Sequence, residues 1–168
     1  SASGGAGKTT VSMGVSACLT KNYKKVLYIN ASHLQTFHHM LENQSAITSN
    51  DVYAKLVSTK NAYSDIKHNI RNELFNYIPP FKAALMSLGL EYAVFEKIIL
   101  SAKQSGDFDF IIVDADVTFD EDKANLINLA DKVVIITEQT ISSVLATNFL
   151  VSNINRANSD KYIFICNN

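Results

Sequence analysis

The chain has little of what marks a secreted, membrane-spanning or nucleic-acid-binding protein. It carries only two cysteines, Cys18 and Cys166, each inside an apolar run. That count argues against a disulfide framework and for buried free thiols in a reducing compartment. No apolar stretch reaches the roughly 18 residues that a membrane span needs, and no signal-peptide pattern is visible. Net charge is −1, from 15 basic and 16 acidic residues, so no global field draws the chain to nucleic acid. The lysines at 21, 24 and 25 are too few to change that and suit a solvated turn. There is no internal repeat and no low-complexity segment. What is present is ordinary for a globular protein: 168 residues, 47% apolar and 18% charged. A single domain over residues 1–168, large enough to bury a core without staples, is expected.

The most informative stretch is Ser3 to Thr10, Ser-Gly-Gly-Ala-Gly-Lys-Thr-Thr. Gly4, Gly5 and Gly7 lack Cβ atoms, so the backbone around Ala6 can turn through positive φ and aim its N–H groups into one concavity. Lys8 offers a flexible positive charge to β- and γ-phosphates, Thr9 offers a hydroxyl to Mg²⁺, and Thr10 extends the cradle. The apolar run from Val11 to Leu19 opens a helix whose N-terminal dipole favours anions. In the usual G-x-x-x-x-G-K-[ST] spacing the first glycine falls where Ala2 stands; the crowded glycines that follow compensate. The competing reading is a glycine-rich turn that caps an ordinary helix. A P-loop also ordinarily follows a buried strand, and only Ser1 and Ala2 precede this one, so a chain truncated at both ends, the core of a larger protein, is expected.

The rest of the chain alternates between strand and helix. Val26–Ile29, Phe110–Val113, Val133–Ile136 and Tyr162–Ile165 are short continuous apolar runs, suited to strands buried on both faces of a parallel sheet. Leu74–Ile78 reads as a further strand, ended by Pro79-Pro80, the only prolines. Helical patterns cover about 8–20, 50–58, 62–72, 91–105, 120–130 and 142–155, and Thr118 to Glu121 has the form of a capping box. The stretch from Leu41 to Ser64 is polar and irregular, an expected mobile excursion. These elements predict an α/β fold, a doubly wound and mostly parallel sheet flanked by helices, with ligands bound outside the carboxyl ends of the strands.

A P-loop protein needs an acid at a neighbouring strand end to hold Mg²⁺ or its water. Asp114, directly after Phe110–Val113, is placed for that role. Asp116, two residues on, is either a group that positions water or a solvated loop acid. Asp120, Glu121 and Asp122 fit the first turn of a helix better than any chemistry. Asp109 precedes its strand and belongs to the opposite sheet edge. The adjacent His38 and His39 lack companions for a metal site and read as surface or partly buried residues.

The octet resembles the deviant Walker A box of the ParA/MinD group of ATPases. Phe108 to Asp114 resembles that group's Walker B segment, and Ala130 to Glu138 its next strand. Phe119-Asp120-Glu121 and Thr137 to Ser143 are most similar to the CpaE/TadZ branch, the pilus-assembly ATPases that mark a cell pole. The resemblance implies a P-loop NTPase fold that binds ATP and Mg²⁺. Gly4, Gly5, Ala6, Gly7, Lys8, Thr9 and Thr10 would hold phosphates, Thr9 and Asp114 the metal, and Asn167 the adenine; a plain turn asparagine is the other reading of Asn167. Lys8 and, from its place two residues after Asp114, Asp116 are the candidate catalytic groups. It further implies a homodimer, a protein partner at a pole or a pilus or secretion apparatus, and a cytoplasmic location, polar or membrane-associated through that partner. Two positions depart from the group. Its signature lysine, which reaches across a dimer to the partner's nucleotide, is Ser3 here. Its Asp-x-Asp pair at the end of the second strand is Asn30-Ala31-Ser32. Neither Asn nor Ser carries the charge of a base or of a carboxylate that holds Mg²⁺ through its water shell, and such losses cost roughly 10²–10⁴ in rate.

The expected function is therefore a nucleotide-dependent switch with slow or absent hydrolysis. The alternatives are an active ATPase or an ATP-dependent small-molecule kinase or ligase on the same fold, with Asp116 or Glu138 replacing the missing acids, and an interaction domain whose P-loop is vestigial.

Overall fold

The computed structural model describes residues 4–154 and 160–167. Ser3, the position of the missing lysine, and residue 155, where the last expected helix ends, lie outside the described residues. The chain packs as two compact units. One is Thr9–Asp114; the other joins Ser1–Lys8 to Ala115–Asn168.

The larger unit holds helix α1 (Lys8–Lys21, from Thr9 onward), strand β1 (Val26–Ala31), α2 (Asn50–Ser58), α3 (Ala62–Ile66), β2 (Arg71–Asn72), β3 (Asn76–Tyr77), α4 (Ala93–Ser105) and nearly all of β4 (Phe110–Ala115). Its sheet runs in the order β2-β3-β1-β4. β1 is parallel to β3, and β2 is antiparallel to β3. All six residues of β1 are buried, which is what its unbroken apolar run requires. Tyr28, Phe37, Phe75 and Tyr77 close over β1 with Met13 and Leu41. Their rings meet tilted or edge-on, at centroid distances of 5.2 to 6.3 Å. Such pairs add about 0.5–1.5 kcal/mol each beyond the area they bury. Helix α4 turns Val94, Phe95, Ile98, Ile99 and Ala102 inward on a helical stripe.

Three expectations about this unit change. The helix expected over 62–72 stops at Ile66, passes through a 3₁₀ turn at Lys67–Asn69, and becomes β2. Ile66 is the last apolar residue that the helix can bury, since Lys67, His68, Arg71 and Asn72 are all exposed, so pairing with β3 wins. The Asn72 amide seals that pairing through a 3.0 Å bond to Asn76 Oδ1. The 41–64 stretch is packed down. Leu41, Ile47, Tyr53, Leu56 and Ala62 are buried, and Glu73 accepts the backbone N–H groups of Glu42 and Asn43. Cys18 is exposed because α1 buries Met13 and Ser16 on its other side.

The smaller unit holds α5 (Glu121–Leu129), β5 (Val133–Glu138), α6 (Ile141–Ser152) and β6 (Tyr162–Asn167). β5 and β6 run parallel in unbroken register from Val133↔Tyr162 to Glu138↔Asn167. These strands, like β4, are not buried on both faces: Val134, Ile163 and Phe164 are each about half exposed, and Cys166 is exposed and free. The cap of α5 is Asp120, which accepts the Lys123 N–H at 2.9 Å, and not Thr118. Thr118 is drawn instead to Asp116, at 2.7 Å. Glu121 and Asp122 fall in the first turn of α5, as their charge favours. Among the described residues no helix is long and apolar enough to cross a membrane.

Candidate functional site

In the smaller unit the glycine loop lies against the ends of β5 and β6. Gly5 and Gly7 have φ of +82° and +83°, the left-handed region where a side chain costs energy; Gly4 does not need it. A Cβ on Gly7 would stand 2.7 Å from Asn167 Nδ2, so Gly7 has two reasons to be glycine. The Asn167 amide donates to the Ala6 carbonyl at 3.3 Å, and Ala6 itself is fully buried. The β5–β6 register sets Asn167 beside Glu138, whose Oε1 would lie 3.7 Å from a Cβ on Gly5. Glu138 also accepts from Ser143 Oγ at 3.3 Å. The last strand thus braces the loop from behind. This bracing role of Asn167 is one that its sequence context did not signal.

Asp116 is in the same unit and is heavily engaged. Its Oδ1 accepts from Lys123 Nζ at 2.6 Å and from Thr118 Oγ1 at 2.7 Å. Lys123 is only 5% exposed, so the pair is largely desolvated and each charge needs the other.

In the larger unit three donors converge on one carboxylate oxygen. Asp114, 4% exposed, accepts at Oδ2 from Thr9 Oγ1 at 2.7 Å, Tyr28 OH at 2.9 Å and Asn30 Nδ2 at 2.9 Å. Tyr28 and Asn30 are two apart on β1, so both side chains leave the same face of the strand. That spacing is the signal by which Tyr28 could have been picked out from sequence. Burial and the Asp114 charge hold the Tyr28 phenol far above its ordinary pKa, so it stays a donor. With its nitrogen on Asp114, Asn30 presents Oδ1 elsewhere, buried and without a partner. The end of β1 is fixed through its backbone: Gln35 donates to the Asn30 carbonyl and accepts from Phe81 N at 2.7 Å, and Tyr92 OH donates to the Ala31 carbonyl at 2.6 Å. Ser32 is half-buried, and Thr10 is exposed. Lys8 and Thr9 are successive residues at the start of α1, where backbone N–H groups are unpaired within the helix.

The donor set suits a hard cation. Thr9 Oγ1, the Asp114 carboxylate and the unpartnered Asn30 Oδ1 are all oxygens. Among the described residues no group of three or more His, Cys, Asp or Glu could hold a metal ion. One carboxylate completed by phosphate oxygens and water is the habit of Mg²⁺. The rings of His38 and His39 lie 4.1 Å from each other in the Phe37–Met40 turn.

A protein-family model described as an AAA domain matches residues 1–164. No curated protein sequence matches. Solved structures do. MinD in the MinC:MinD cell division complex of Aquifex aeolicus gives a TM-score of 0.71 at 22% identity, over 99% of this chain and 65% of that one. The ParA family ATPase of Chlorobium tepidum gives 0.77 at 17% identity, over 99% and 70%. Cobyrinic acid a,c-diamide synthase of Mycobacterium smegmatis, with bound ADP and magnesium, gives 0.66 at 18% identity, over 98% and 69%. The chain therefore spans about two thirds of the length of the structures that it resembles, and shares their mostly parallel sheet flanked by helices.

Proposed function

Because the chain belongs to this AAA-domain family and shares the fold of the MinD and ParA structures, we propose that it is a ParA/MinD-type P-loop protein that binds Mg·ATP and works as a nucleotide-dependent switch with slow or absent hydrolysis. Gly5 and Gly7 shape the phosphate loop, Lys8 neutralises the β- and γ-phosphates, and Thr9 with Asp114 holds the magnesium ion. The ion would supply charge neutralisation at the phosphates. The observation that carries the reading is the amide at Asn30. The phosphate-binding groups are all present, but the strand-end group that touches Asp114 is neutral and its nitrogen is spent on that carboxylate. Asn30 cannot take a proton from an attacking water. A γ-phosphate can still order loops without being cleaved, so a switch tolerates this loss.

The output is recruitment. We assign the chain to the CpaE/TadZ-like branch on Phe119–Glu121 and Thr137–Ser143, with a homodimer closed around nucleotide and a partner at a pole or a pilus or secretion apparatus. The complex of Aquifex MinD with MinC supports a protein partner in general. Asn167 would contact adenine from its place behind the loop, and Asp116 would orient water only by leaving Lys123.

The test is equilibrium ATP binding beside steady-state turnover on the same preparation. Binding with turnover at background supports the switch, and turnover of order 1 s⁻¹ supports the active enzyme. Lys8→Ala should weaken ATP binding at least tenfold; an unchanged affinity would leave the P-loop vestigial.

A further inference from the structure

Asp114 is a carboxylate almost wholly withdrawn from water, and no basic side chain is among the three donors on its Oδ2. A buried carboxylate without a cation is costly unless hydrogen bonds replace its hydration. Here the hydroxyls of Thr9 and Tyr28 and the amide of Asn30 do so, all on one oxygen. The Asn30 orientation is chemically determined: an amide oxygen 2.9 Å from Asp114 Oδ2 would oppose lone pair to lone pair, so the nitrogen faces the carboxylate. With an aspartate at position 30, a second negative oxygen would stand at that distance, and the two acids would need a divalent cation between them or beside them.

We propose that Asn30 takes the place of a cation toward Asp114, so that the Thr9–Asp114 half of the site is assembled before any metal arrives. The metal then joins only with the nucleotide, and Asn30 Oδ1, buried and unpartnered, accepts a hydrogen bond from one of its water ligands. The inference rests on the magnesium–nucleotide reading for the identity of the cation. The pre-assembly it describes can be measured without nucleotide.

The experiment is thermal unfolding of the full chain, without nucleotide, in EDTA and in millimolar Mg²⁺, for wild type, Asn30→Asp and Asn30→Ala. The wild-type Tm should be the same in both within about 1 °C. Asn30→Asp should melt about 10 °C lower in EDTA, as an uncompensated buried charge does, and recover most of that in Mg²⁺. Asn30→Ala loses the bond without adding charge and should fall equally in both. A wild-type Tm that drops on chelation overturns the inference. So does an Asn30→Asp protein indifferent to Mg²⁺, including one that stays unfolded with it. Calorimetric titration of wild type with Mg·ATP separates the two readings. No heat, with the melting pattern intact, removes the nucleotide function and leaves the role of Asn30; heat with the pattern absent does the reverse.

Discussion

The glycine loop and the Asp114 cluster are held in place by different physics. The loop depends on backbone conformation. Gly5 and Gly7 sit at positive φ, and a Cβ on Gly7 would displace the Asn167 amide that now stands 2.7 Å from its place. The Asp114 cluster depends on side chains in a dry interior, three donors on one buried oxygen. The first arrangement is intolerant of added atoms, and the second of removed ones. A phosphate cradle has to leave its N–H groups free, so it is shaped by conformation. A buried carboxylate has to be neutralised locally, so it is shaped by hydrogen bonds.

The largest expected effect tests the second half of that contrast. Asp114→Ala strands the donors of Thr9, Tyr28 and Asn30 in a buried pocket and should cost about 3–5 kcal/mol, read by denaturant unfolding. A loss below about 1 kcal/mol would mean that the three bonds do not shape the cluster. Gly7→Ala tests the first half. It forces a left-handed L-residue, about 1–2 kcal/mol, and displaces the Asn167 amide from the Ala6 carbonyl, about 1 kcal/mol more. Asn167→Ala alone loses the same hydrogen bond, so the double variant should fall no lower than Gly7→Ala and the double-mutant cycle should be non-additive. Simple additivity would mean that a Cβ on Gly7 leaves that bond in place.

The smallest effect comes from a polar pair that belongs to neither. The Tyr63 phenol donates to Asp107 at 2.7 Å, and burial first, then that acid, push its pKa up to about 12. The fold therefore favours the neutral phenol. Its contribution is full below the ordinary phenol pKa near 10 and is lost as pH rises from there to about 12. Unfolding curves at pH 9 and 11 should show a small extra loss in wild type that Tyr63→Phe lacks; equal losses would remove the coupling.

The local elements were legible in the residues. The spans of α1, α2, α4 and α5 fall within about two residues of their apolar periods, α6 starts within one residue of its own and ends at Ser152, and β1, β4, β5 and β6 grow from their hydrophobic runs. Asp114 was placed by the strand before it, and Thr9 meets it as the motif requires. β2 replaced a helical turn because β3 offered it a partner, and the 41–64 stretch was fastened by Glu73 and Pro80, groups that lie outside it in the chain. The exposure of Cys18 and Cys166 likewise depended on which face found a neighbour.

By itself the sequence determined the glycine loop, the helix behind it and the acid at the end of β4, because each is written in consecutive residues. Only the tertiary structure decided that Tyr28 and Asn30 would share Asp114 with Thr9, and that Asn167 would brace Ala6. Those bonds join residues 84 to 161 positions apart. Strand order and register choose such partners, and neither is carried by any local stretch of the chain.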